Sequence, residues 1–204
     1  MDFAKYLPMA FVMIAGPQIL SAIFLATSED WRRNSAAYVA GAALSVTAFV
    51  TAAFLLGSGI SEGGASDETL YVVVLVLLLA AMVHVYLKRA ESEPPKWMGR
   101  LQAAHPRFSF TLGFLLLGIF PTDILTSVAM GTYAAGHGDD WLEVLPFIGL
   151  TLLFLALPSL LLLVFRQRAQ AFLPSAREWM TTNSWVVNEI VIAFFVIIVL
   201  SDLF

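Results

Sequence analysis

Long apolar runs alternate with short polar ones along the whole chain, and each run is about twenty residues long. An α-helix of that length crosses a hydrocarbon core of roughly 30 Å. The runs cover about Tyr6 to Thr27, Ser35 to Leu56, Leu70 to Leu87, Phe108 to Ala135, Trp141 to Phe165 and Asn183 to Leu203. They predict an all-α integral membrane protein with six transmembrane helices and no soluble domain. Residues 1–204 read as a single membrane domain of two halves, about 1–87 and about 108–204, joined by a polar loop at about 88–107. Within that loop Trp97, Met98 and Leu101 share one face beside Lys96 and Arg100, which predicts a short helix lying in the headgroup layer. Arg166 to Thr182 reads as a basic connection to the sixth span. The first run resembles a signal peptide in having Lys5 before an apolar stretch. It is too long for one and carries Gly16-Pro17-Gln18 in its middle, so it reads as a retained span.

Composition strengthens this picture and narrows the chemistry. The chain is 59% hydrophobic and 13% charged, where a soluble domain carries about a quarter charged residues. Without cysteine there are no disulfides and no thiolate metal sites. A pI near 5.3 leaves no basic face for nucleic acid. Ten of the eleven lysines and arginines fall in the loops after spans one, three and five. Lysine- and arginine-rich loops stay cytoplasmic, so both termini are expected outside a multi-pass protein of the cytoplasmic membrane.

The residue that departs most from its surroundings is Asp123, in the apolar fourth run and two positions after Pro121. An intramembrane acid has to find partners, water or a proton, and is a functional hypothesis by default. The proline breaks or kinks its helix. The plainer reading is a kinked packing helix whose acid bonds a neighbouring helix; the sharper one is a broken helix beside a hydrated chamber at mid-membrane. Pro17-Gln18-Ile19-Leu20-Ser21-Ala22 in span one matches Pro121-Thr122-Asp123-Ile124-Leu125-Thr126-Ser127 in span four, with one extra residue. Three spans separate the copies, so the two halves are inverted relative to each other. Interrupted helices at corresponding positions of inverted halves point to a transporter's binding site.

Gly16, Pro17, Gln18, Pro121, Thr122 and Asp123 are therefore the candidate substrate-binding residues, with Asp123 and Glu189 candidates for proton exchange. Freed helix N-termini at the breaks favour anionic groups. Other polar residues have plainer readings. Glu189, beside Asn188 in span six, is as well placed for solvation at the interface as for the chamber. His84 is interfacial, His105 has no evident partner, and Asp202 is solvated. His137, Asp139, Asp140 and Glu143 resemble a metal cluster, but Asp140 and Glu143 are spaced as a capping-box start to span five. No catalytic motif is present, so no enzyme activity, resident metal or cofactor is expected. Ala37, Gly41 and Ser45, and then Ala48 and Ala52, form small-residue stripes on span two, suited to close helix packing and a candidate homodimer contact.

Gly16-Pro17 through Leu20, Leu25-Ala26-Thr27-Ser28, Trp31-Arg32-Arg33-Asn34 and Tyr38-Val39-Ala40-Gly41 resemble the first two spans of the GAP family, the sulfolipid- and peptidoglycolipid-addressing proteins. Pro95-Lys96-Trp97-Met98 followed by Phe110 to Gly118 is similar to the approach to its fourth span. Trp179, Asn183 and Leu200-Ser201-Asp202-Leu203 are similar to its last one. The resemblance implies the lysine-exporter superfamily: two inverted triplets of spans, a proline motif in spans one and four, and export of a cell-envelope lipid or glycolipid. That family usually carries Asn-Pro-Lys-Asn in span four, where this chain has Phe120-Pro121-Thr122-Asp123, so an anionic cargo held by that lysine is put in doubt. The expected function is a lipid exporter, proton-coupled through Asp123. Efflux of an amino acid or divalent cation is the alternative within transport. An envelope-complex scaffold docking through the loop 88–107 is the alternative of another class.

Overall fold

A computed structural model describes residues 3–14, 16–57, 79, 83, 86, 87, 101, 103–138, 140–183, 185, 186, 189, 193, 196, 197 and 200. Most of the expected third and sixth spans, residues 88–100 of the polar loop, and Asn188, Asp139 and Asp202 lie outside these. The chain divides into two compact units, Met1–Ile60 with Pro95–Glu178 and Ser61–Pro94 with Trp179–Phe204. Each unit draws on both halves of the sequence.

The described elements of the first unit are all helical. They are α1 (Phe3–Ile14), α2 (Pro17–Ala26), α3 (Trp31–Gly57), α4 (Pro106–Ile119), α5 (Pro121–Gly136), a 3₁₀ turn at Trp141–Val144 leading into α6 (Leu145–Val164), and α7 (Arg166–Thr182), whose residues from Trp179 on are counted with the second unit. Two stretches are long and apolar enough to cross a membrane, Trp31–Leu56 and Trp141–Val164. The fourth run makes a third span if α4 and α5, bent 69° at their junction, count as one.

Proline is the first residue of three of these helices. Pro17, Pro106 and Pro121 all stand in the first turn of their helices, where a missing N–H costs nothing. His105 caps α4, its Nδ1 accepting from the Phe108 amide at 3.2 Å, a role its position before a proline did not advertise. Asp140 caps the 3₁₀ turn by accepting from the Leu142 amide at 3.2 Å, as its spacing predicts. The segment Arg166 to Thr182, expected as a connection, is a 17-residue helix despite Pro174. Ala169 and Leu173, four apart, are its buried positions.

α3 is the centre of the unit. It packs mainly against α4 and α5, while α1 and α2 pack on α6. The α3–α4 crossing is close because two glycines face each other's backbones. A Cβ on Gly41 would run into the Phe110 carbonyl, and one on Gly113 into the Tyr38 carbonyl. Small residues allow such approach where lipid supplies no hydrophobic drive. Gly41 and Ser45 are thus covered within the chain, and Ala48 and Ala52 stay exposed.

In the second unit Tyr86 and Trp185 meet edge to face, with centroids 6.2 Å apart. Glu189 lines a cavity of about 420 Å³ with Leu79, Val83 and Tyr86. Both its carboxylate oxygens are shielded and have no hydrogen-bond partner among the described residues.

Candidate functional site

Both proline breaks are real, and the chain enters them differently. Gly16 precedes Pro17 with φ 96° and ψ −136°, a region open to glycine and strained for other residues. Phe120 precedes Pro121 in an extended conformation, φ −66° and ψ 125°, the usual one before proline. Each helix then restarts, and the first turns of α2 and α5 meet. Gln18 Nε2 donates to Asp123 Oδ2 at 2.5 Å across 105 residues of sequence. Both side chains are 1% exposed.

Around this contact the polar groups are few. Thr122 Oγ1 lies 3.5 Å from Asp123 Oδ1, at the limit of a hydrogen bond, and Thr122 itself is exposed. The Tyr38 hydroxyl, fully buried on α3, donates to the Gln18 carbonyl at 2.9 Å. Ser21 bonds back to the Pro17 carbonyl at 2.7 Å, and Ser127 approaches the Met13 sulfur at 3.9 Å. Gln18 Oε1 is buried without a partner. No cation is paired with Asp123 among the described residues.

Of the six expected site residues, Gln18 and Asp123 touch each other. Thr122 stands at the edge, Gly16 and Pro17 shape the first break, and Pro121 starts α5. Glu189 belongs to the other unit. Gln18, Thr122 and Asp123 line none of the four most clearly formed cavities among the described residues, which lie elsewhere. Asp123 sits in the first turn of α5 but accepts from Gln18 instead of capping its own helix. The family model for Sap, the sulfolipid-1-addressing protein, matches residues 6–202. The chain belongs to that family. Neither curated proteins nor solved structures yield a match.

One site residue of this Sap-family chain escaped the sequence reading. Tyr38 drew notice only through the resemblance, although a tyrosine seven residues into a small-residue helix carries a hydroxyl that must find a partner when buried. A second feature was hidden in the basic segment. Arg177 of α7 lies 4.7 Å over the Phe24 ring of α2, so α7 is docked on the helix that carries Gln18. The i, i+4 spacing of Ala169 and Leu173 was the available signal.

Proposed function

We propose that this protein exports an envelope lipid across the cytoplasmic membrane by alternating access, and that the Gln18–Asp123 contact is its closed gate. That buried contact between the first turns of two restarted helices carries the reading. Burying polar groups in a hydrocarbon interior costs free energy that their mutual hydrogen bond only partly offsets, which makes such a pair a functional-site hypothesis by default. The family's name ties its members to lipid addressing.

The packing supports two inverted triplets. Span two (α3) packs on the broken span four (α4 and α5), and span five (α6) packs on the broken span one (α1 and α2). Exchanging the halves maps one pairing onto the other. The units agree, since the first two spans of each triplet form one unit and residues of the third spans form the other. In this reading the chain has six spans with both termini outside.

Asp123 holds a proton while the gate is closed, which removes the need for a buried counter-cation, and releases it when the gate opens to water. Flux of a fluorescent phospholipid through proteoliposomes, read by quencher accessibility, tests this. Asp123→Asn should abolish the pH dependence and lower flux at least tenfold. Unchanged flux and pH profile in that variant would overturn the assignment. Efflux of a small solute remains the competing reading, since the closed polar contact is itself small. A scaffold role would depend on residues 88–107 and would survive Asp123→Asn.

A further inference from the structure

Away from the proline breaks, the start of α3 and the junction of α6 with α7 enclose a basin of about 690 Å³. Its lining includes Arg32, Arg33 and Arg166 together with Glu29 and Asp30. Arg32 is 5.2 Å from the Trp31 ring. Neither Arg33 nor Arg166 has an ion pair among the described residues. The basin runs into a second cavity of about 530 Å³, sharing Trp31, Arg32 and Leu163 with it. This second space is an apolar groove between α3 and α6, floored by Ala36, Val39, Ala40, Ala43 and Ala156.

A charged basin opening into a groove of alanines on a membrane-spanning helix has the shape of a lipid: a headgroup above, a chain below. Basic pockets between transmembrane helices bind anionic headgroups, and Arg suits phosphate or sulfate through its planar fork. Three guanidinium groups against two carboxylates leave a single net positive charge, which complements one phosphodiester or sulfate ester. The carboxylates in turn accept hydrogen bonds from headgroup hydroxyls. We propose that this basin and groove bind a lipid with one anionic group and a hydroxylated headgroup, its acyl chain lying along α3 and α6. This deepens the export reading by naming the cargo's headgroup chemistry, and it rests on that reading in treating the bound lipid as cargo.

The test uses the full chain in phosphatidylcholine vesicles containing rising fractions of brominated phosphatidylglycerol, with Trp31 as the reporter. Trp97, Trp141, Trp179 and Trp185 are replaced by Phe. Quenching should saturate at a far lower fraction of brominated phosphatidylglycerol than of brominated phosphatidylcholine. Arg33→Gln with Arg166→Gln should raise the required fraction about fivefold for each arginine lost, since a cation near the surface adds about 1 kcal/mol. Ala40→Phe, filling the groove, should weaken quenching as well. Arg107→Gln, outside the basin, should not. Equal quenching by the two lipids, a preference for phosphatidylethanolamine, displacement by millimolar inorganic phosphate, or indifference to the arginine pair would each overturn the proposal. If the Phe replacements unfold the protein, native mass spectrometry of the unsubstituted chain should show retained phosphatidylglycerol, lost in the arginine pair. Absence of retained lipid there overturns it too. Binding with no lipid flux removes the export reading alone, whereas flux without binding removes this one alone.

Discussion

The two breaks share a proline in the first turn and little else. At the first, Gly16 turns the chain through a positive φ, and the restarted helix is covered from Gln18 through Ala26 apart from the half-buried Ile19. At the second, Phe120 stays extended and 38% exposed, and its helix buries Asp123 while leaving Thr122 open. A proline thus decides where a helix can begin, and the residue before it decides how the chain arrives. The first break is set by backbone conformation. The second keeps an ordinary extended residue before its proline, with α4 and α5 bent 69° there.

That contrast can be broken in graded steps. The largest effect is expected from Gln18→Leu, which strips the buried carboxyl of its amide donor and should cost about 3 kcal/mol. Adding Asp123→Leu should recover part of the loss, and thermal unfolding in detergent across the double-mutant cycle would measure the coupling. Additive losses would show that the two side chains do not act together. Gly16→Ala should cost about 1–3 kcal/mol through backbone strain alone, with no interaction energy toward Asp123→Asn. Tyr38→Phe should cost about 1 kcal/mol by removing the bond to the Gln18 carbonyl. Phe120→Ala should change stability least, within about 0.5 kcal/mol, because its extended backbone suits any residue before proline. A loss there as large as at Gly16 would erase the distinction between the breaks.

Much of this was legible in the residues themselves. Apolar run length and helix-breaking chemistry are local properties, so spans two and five and both breaks follow from the sequence. Gln18 and Asp123 stood out because polar groups in apolar runs are costly wherever they end up. Their direct contact was not legible, since it depends on how helices far apart in sequence cross. Tyr38 was missed for the same reason: its partner is a backbone carbonyl on another helix, and carbonyls have no sequence signature. α7 was missed because charge density and Pro174 outweighed a two-position apolar stripe. The partition of the chain into units is likewise a tertiary property and left no local mark.

At the rim where α3 ends, the Tyr6 hydroxyl donates to the Glu143 carbonyl at 2.9 Å and the Trp141 indole to Thr51 at 3.1 Å. Both fasteners join span five to a different neighbour, and both donors are aromatic groups of the kind that settle at a bilayer's edge. Tyr6 is buried, so its bond is held inside the packing between α1 and the turn that leads into α6. The helix forming the wall of the alanine groove is therefore tied at its far end to α1 and to α3 at once, so the width of the groove is fixed by the same bonds that fasten span five to the first two spans.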